Sequence, residues 1–223
     1  MKCLLVSGMF FITIISFPQN KVLSIIPQKG SNIQSFIPAG YDTLLTARGD
    51  LNNDKVDDAV IVLRHQKENA ENMDMDSIAS RLLVVVFNKG NAYELAVVSD
   101  SAILCKDCGG MMGDPFQEVK IEKGLLIISH YGGSAWRWGY THKFRFQQNE
   151  FFLIGRTMIY YWNVEMCDKL NEFAGTEYED INFVTGSFEK KKVSQEGCKL
   201  LLNKKGKMKI QPLVNLNKFS IDN

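Results

Sequence analysis

The sequence shows no sustained apolar period of 3.6 residues, so it gives no signal for long amphipathic helices. Its apolar residues fall instead into short runs and strict alternations separated by glycine and asparagine, as in strands joined by tight turns. After the first twenty residues, no apolar run is long enough to cross a bilayer as a helix. With 223 residues and 45% hydrophobic content, the chain is large enough for one substantial core. These features predict an all-β protein with no transmembrane segment in its mature form.

An excess of charge is missing as well. The chain contains 26 basic and 25 acidic residues, and Lys2 is the one charged residue among the first twenty. Without those twenty residues the formal net charge is zero. A nucleic-acid-binding domain normally carries a basic surplus, so we predict no nucleic-acid partner.

The range 189–209 is locally rich in lysine, which favours an edge hairpin protected against edge-to-edge pairing. The alternative is a patch that docks on anionic lipid or polysaccharide.

The N-terminus has the pattern of a secretory signal. A basic start, Met1-Lys2, precedes an apolar run of about fifteen residues that ends at Phe17. We therefore expect residues 1–20 to be a signal peptide and residues 21–36 to be a mobile lead-in. The protein would then be exported, to the periplasm or to the cell surface and medium. An uncleaved anchor and a buried strand are the alternatives for the apolar run.

The most chemically explicit stretch is an acidic loop between Gly49 and Asp58. Oxygen ligands stand at its first, third, fifth, seventh (backbone carbonyl) and ninth positions: Asp50, Asn52, Asp54, Val56 and Asp58. Calcium takes six to eight oxygen ligands, and alternate residues of a tight loop can point several of them inward. The twelfth position is Ile61 rather than a bidentate glutamate, and the flanks are β-branched, so the loop is not a helix–loop–helix hand. The pattern predicts a calcium site between two strands; an Asx-type turn without an ion is the alternative.

This strand–acidic loop–strand pattern resembles the FG-GAP or VCBS type of calcium loop, which occurs in β-propeller blades and in exported bacterial proteins. The resemblance covers residues 49 to about 62 and implies calcium as the cofactor. The sequence departs from the pattern at the sixth loop position, where Lys55 stands instead of glycine. A non-glycine residue in a left-handed conformation costs on the order of 1 kcal/mol, so a reduced affinity is expected.

Strand signals divide the chain into two units and a tail. The apolar runs 81–87 and 93–98 flank Asn88-Lys89-Gly90-Asn91, which is a hairpin signal. Residues 59–63 are apolar on both faces, as in a buried strand. Four more strands are expected at 116–121, 125–130, 136–147 and 151–161. We predict a single antiparallel domain over 37–223, with a four-stranded meander at 37–100, a second at 101–162, and a tail with a hairpin at 163–223.

The strand predicted at 136–147 alternates without interruption. Its aromatic face carries Trp136, Trp138, Tyr140, His142, Phe144 and Phe146. Twelve residues with a period of two indicate a half-buried antiparallel strand. We predict that this face packs in the core, with His142 as a hydrogen-bonded core histidine. The alternative is an exposed face on which the rings stack against sugars.

Four cysteines remain after removal of the signal: Cys105, Cys108, Cys167 and Cys198. An even number in an exported protein favours disulfides. Two of the four are close neighbours, so we predict one bond between Cys105 and Cys108 and another between Cys167 and Cys198. A zinc site would need two further ligands, and neither a second CxxC nor a nearby histidine pair provides them.

A second resemblance spans most of residues 37–155. The segments that carry it are Cys105 to Gly110, Gly113-Asp114-Pro115-Phe116, and His130-Tyr131-Gly132-Gly133-Ser134 with the strand that follows. Together with the acidic loop, they resemble a family of uncharacterised exported bacterial proteins. This resemblance supports export and calcium binding and implies no reaction. The His130 to Ser134 segment does not fit the GxSxG elbow of hydrolases.

The sequence thus predicts an antiparallel all-β fold in which two sheets pack face to face. A propeller-blade-like arrangement is the alternative, although two blades cannot close a propeller. The predicted function is that of an exported calcium-binding module with a non-catalytic binding or structural role. The sequence does not identify its partner, for which an envelope protein and a polysaccharide are the candidates. The alternative is an extracytoplasmic hydrolase of envelope glycan or peptide that uses His130, Ser134 or a carboxylate of the acidic loop.

Overall fold

The computed structural model describes residues 26–69 and 80–221, which form two antiparallel sheets of five and seven strands. The predicted signal peptide, 1–20, and the start of the predicted lead-in lie outside the described residues. Within the described ranges, no helix is long and apolar enough to cross a membrane. The predicted all-β antiparallel class is confirmed.

The first sheet has the order β1-β5-β4-β3-β2. Its strands are β1 (Lys29–Gly30), β2 (Tyr41–Gly49), β3 (Asp58–His65), β4 (Leu82–Asn88) and β5 (Tyr93–Ser99). Strands β3 and β4 are buried on both faces, because consecutive apolar residues fill 59–63 in β3 and 82–87 in β4. A short 3₁₀ helix, Gln66–Asn69, follows β3.

The described part of the predicted mobile lead-in is packed onto this sheet, which corrects that expectation. Lys29 and Gly30 pair with Glu94 and Tyr93 at the edge of β5. A 3₁₀ helix, Ile33–Phe36, then places the Phe36 ring in the core with no exposed surface. This segment covers the outer face of the first sheet, so that both faces of β3 are removed from water.

The second sheet is a continuous meander of seven strands in the order β12 to β6. Its strands are β6 (Phe116–Glu122), β7 (Leu125–Gly133), β8 (Trp136–Gln147), β9 (Glu150–Cys167), β10 (Glu172–Asn182), β11 (Ser187–Val193) and β12 (Leu200–Lys207). The 3₁₀ segment Lys106–Met112 precedes β6, and another, Leu216–Lys218, follows β12.

The strand counts differ from the two predicted four-stranded meanders. The predicted C-terminal hairpin is not a separate unit, because β11 and β12 extend the second sheet through β10. Strand β10 was missed because its sequence, Glu172–Asn182, is mostly polar. The lead-in adds the fifth strand of the first sheet.

The two sheets face each other across one apolar cluster. Val60, Val62 and Val85 of the first sheet meet Ile128 and Phe144 of the second, all at 1% exposure or less. Sandwich-like packing, the favoured arrangement, therefore describes the molecule. The first sheet is narrower, and β10–β12 and one end of β8 and β9 extend beyond it.

Candidate functional site

The acidic loop joins β2 to β3, as the sequence predicts. Asp50 at its start accepts hydrogen bonds from the backbone amides of Asn53 (2.7 Å), Asp54 (3.2 Å) and Lys55 (2.8 Å). Two of those residues have left-handed backbones, with φ of 64° at Asn53 and 68° at Lys55. The sixth loop position thus takes the strained conformation expected for it.

The middle of the loop is held by further side-chain contacts. The side-chain amide nitrogen of Asn52, Nδ2, donates to Asp54 Oδ2 (3.0 Å). The backbone amide of Val56 donates to Asp54 Oδ1 (2.9 Å). These residues are exposed or partly exposed, with the Val56 side chain 38% exposed. An incoming cation would therefore meet oxygen atoms near the surface of the loop.

Asp58, at the ninth position, is fully buried and connects two segments of the first sheet by hydrogen bonds. Its Oδ2 accepts the amide of Leu51 (2.9 Å), and its Oδ1 accepts the amide of Asn88 (3.0 Å) at the β4–β5 turn. Burial raises the pKa of Asp58; the two amide bonds oppose this shift, and the nearby Asp54 and Asp50 add to it. The carboxylate links the loop to the neighbouring hairpin.

The loop also touches the second sheet. A Cβ added to Gly49 would lie 2.7 Å from Ile121 Cγ2 on β6, and one added to Gly124 would lie 3.5 Å from Asn53 Oδ1. The β6–β7 turn therefore packs on the loop. The loop thus lies at the junction between the two sheets.

The five predicted calcium ligands fit that ion by their chemistry, since all are oxygen donors and a carboxylate can accept about four contacts. Across residues 26–69 and 80–221, however, no group of three or more histidine, cysteine or acidic side chains is arranged to hold a metal. In the structure, loop amides and Asn52 take up the carboxylate oxygens. Calcium at this loop stays a prediction.

A separate groove opens where the second sheet extends beyond the first. It has a volume of about 540 Å³ and is lined by Leu104, Cys108, Trp138, Tyr140, His142, Arg156, Met158 and Ile221. The floor comes from β8 and β9, and one wall comes from the disulfide segment. The predicted core face of β8 is thus buried only in part: His142 and Phe144 are buried, whereas Trp136, Trp138, Tyr140 and Phe146 are partly exposed.

Glycines hold the indole rings of this face in place. Trp138 pairs with Gly132 across β7 and β8, and a Cβ on Gly132 would lie 2.5 Å from the Trp138 ring. The Trp136 ring covers Gly175 in the same manner, at 2.6 Å, and stacks on Tyr160 with centroids 4.9 Å apart and an interplanar angle of 6°. The rings are therefore preorganised by close backbone approach.

Two buried side-chain nitrogen atoms of the groove have no hydrogen-bond partner. They are Nδ1 of His142, a residue with 4% exposure, and Nε of Arg156. The prediction of a hydrogen-bonded core histidine is wrong for this nitrogen. Burial, followed by the charge of Arg156, lowers the pKa of His142 to about 4, so the imidazole is neutral at pH 7.

The predicted disulfides are both formed. Cys105 and Cys108 are joined at 2.10 Å and Cys167 and Cys198 at 2.01 Å. The first closes the segment whose Cys108 lines the groove, and the second ties the end of β9 to the β11–β12 connection. The cysteines thus stabilise the wall of the groove and the extended part of the sheet.

An ion cluster behind the groove wall was missed by sequence reasoning. Arg81, 2% exposed, binds Glu68 through Nε (2.6 Å) and Asp114 through both terminal nitrogens (2.8 and 2.7 Å). It also donates to the Leu104 carbonyl (3.2 Å). The partners lie 13 to 33 residues from Arg81 along the chain, so no local sequence pattern predicts these contacts. The cluster joins the first sheet to the disulfide segment.

The residues of the hydrolase alternative do not assemble into a catalytic pair. His130 is 2% exposed, and its Nε2 accepts the Leu104 amide at 3.2 Å. Burial, with smaller contributions from His142 and Arg81, lowers its pKa to about 4. Ser134 lies in the exposed β7–β8 turn. Among the described residues, no carboxylate is hydrogen-bonded to His130.

No family model, curated protein or solved structure matches this chain.

Proposed function

We propose that this protein is an exported, non-catalytic binding module, that its ligand site is the aromatic groove, and that its acidic loop binds calcium in a structural role. The observation that carries the proposal is the unpartnered His142 Nδ1 in a groove floored by aromatic rings. A buried polar atom without a partner costs about 1–3 kcal/mol, and a ligand that accepts or donates there removes this cost.

The shape of the groove suits binding rather than catalysis. Trp138 and Tyr140 form an open platform with ring centroids 5.2 Å apart. Aromatic side chains offer large contact areas with little loss of conformational entropy. The groove contains no nucleophile paired with a base among the residues that line it.

Calcium at the loop would serve the same module indirectly. Asp50, Asn52, Asp54, the Val56 carbonyl and Asp58 would hold the ion and stiffen the contact between the loop and the second sheet. Export is supported by the N-terminal signal pattern and by two disulfides, which persist in oxidising compartments.

Retention of envelope components on the immobilised protein tests the binding role. Wild type should retain material that the variants Trp138→Ala and Arg156→Gln do not. Matched controls are Phe152→Ala and Arg145→Gln, which pair with each other on the opposite face of the same sheet. Equal retention by groove and control variants would refute the groove as the site. Cleavage of the retained material would instead support the hydrolase.

A further inference from the structure

The groove combines an aromatic, largely apolar surface with polar side chains that have unpartnered nitrogen atoms. Trp138, Tyr140 and Met158 supply the platform, and Tyr160, 39% exposed, continues it along β9. Side chains on this surface project from the face of the sheet, where the backbone groups are already paired between strands. A ligand here is therefore recognised by side chains and not by addition of a strand.

The charge on the β9–β12 side of the platform is positive. The carboxylate of Glu179 is shared by Arg156 and Lys190, so these three residues carry a net charge of plus one. Next to them, Glu177 pairs with Lys192 and adds no net charge. Lys204, opposite Lys190 in the register of β11 and β12, adds one more positive charge. The sheet face beside the groove thus favours an anion.

The unpartnered nitrogen atoms of Arg156 and His142 indicate which groups of a ligand would bind in the groove. Arg156 directs one terminal nitrogen to Glu179 and leaves its buried Nε–H without an acceptor. A carboxylate accepts charge-assisted hydrogen bonds from a guanidinium, as a phosphate does. His142 is neutral, and its free Nδ1 suits a hydroxyl, which can donate or accept. A ligand with a carboxylate, hydroxyls and an apolar face would therefore fit both nitrogens and the aromatic rings.

We infer that the groove binds a carboxylated saccharide, with a sugar ring stacked on Trp138 and Tyr140, its carboxylate on Arg156 and a hydroxyl on His142. This inference rests on the proposed role of the groove as the ligand site. A uronic acid ring meets each requirement: its C–H face packs on aromatic rings, and its carboxylate and hydroxyls lie at the edge.

The experiment is a fluorescence titration of the exported chain with a tetramer of galacturonic acid and with its methyl ester. The ester keeps the ring and the hydroxyls and removes the charge. Wild type should bind the acid about tenfold to a hundredfold more tightly than the ester, the range expected for a charge-assisted contact. Arg156→Gln should bind both weakly and alike, and Trp138→Ala should lose both.

Arg145→Gln, on the opposite face, should keep the wild-type preference, and thermal melting should show that each variant is folded. Equal binding of acid and ester by wild type would overturn the inference, as would tighter binding of a single-stranded oligonucleotide of the same charge. If neither saccharide binds while Trp138→Ala still abolishes retention of envelope material, the saccharide is refuted and the proposed groove stands. If neither saccharide binds and Trp138→Ala also leaves the retention of envelope material unaffected, both the saccharide inference and the proposed role of the groove are refuted.

Discussion

The indole of Trp138 lies against the backbone of Gly132, so close that a single methyl group at Gly132 would be 2.5 Å from ring atom Cζ2. The same methyl group would also lie 2.9 Å from the Cα of Gly109 in the disulfide segment. The floor and wall of the groove therefore meet at this one glycine, and the space it leaves fixes the ring.

Gly132→Ala is expected to displace the Trp138 ring and weaken ligand binding more than it weakens the fold. Overpacking of this kind costs about 1–3 kcal/mol of unfolding free energy. Tryptophan emission and ligand titration measure the displacement. Gly90→Ala is the control, because Gly90 has φ of 85° and open space around its Cα. It should lose about 1 kcal/mol through strain and leave emission unchanged. Unaltered emission in Gly132→Ala would contradict the positioning role.

Arg81→Met is expected to cost about 3–5 kcal/mol in urea unfolding, because it leaves the buried carboxylate of Glu68 without a partner. The side chains of Arg81 and Glu68 are only 1% and 5% exposed. Lys29→Met, which breaks the exposed pair with Glu94, should have no measurable effect. Adding Glu68→Gln to Arg81→Met should recover part of the loss, since the unpaired charge is removed. A small loss in Arg81→Met alone would show that the cluster is not structural.

Stability should fall between pH 6.5 and 4 because of the two buried histidines. The pKa of both His130 and His142 is lowered to about 4, mainly by burial, so the unfolded chain binds more protons than the folded chain in this range. Each histidine contributes on the order of 3 kcal/mol that is present near pH 7 and lost as the pH falls toward 4. His142→Gln should flatten the urea-derived stability profile in this window. An unchanged profile would show that His142 has the same pKa in the folded and the unfolded chain, and that burial does not lower it.

The sequence predicted the strands whose patterns are local. The hairpin at Asn88 to Asn91, the doubly buried β3 and the alternation of β8 were all recognised, because each depends on neighbouring residues. The exposure of Trp138 was not predicted. Periodicity shows which side chains share one face of a strand, but it does not show whether another sheet covers that face. That depends on the widths of the two sheets, which differ because the tail adds strands to one of them. Strand β10 was missed for a different reason, since its mostly polar sequence gives no apolar alternation to recognise.

Calcium should raise the melting temperature of the wild-type protein relative to chelator. Without the ion, Asp50, Asp54 and Asp58 repel one another, and the loop relies on hydrogen bonds from its own amides. A ligand present at a hundred times its dissociation constant stabilises the fold by about 2.7 kcal/mol. Thermal melting in chelator and in millimolar calcium gives this difference directly.

The variants separate the roles of the carboxylates in the loop. Asp54→Ala should abolish the calcium-dependent rise and leave the calcium-free protein folded, because Asp54 contacts exposed neighbours within the loop. Asp58→Ala should destabilise the protein with or without calcium, since two amides, of Leu51 and Asn88, lose their buried acceptor. Asp57→Ala, outside the predicted ligand set, should keep the rise. If wild type melts at the same temperature in calcium and in chelator, the loop is a hydrogen-bonded turn and calcium is not its ligand.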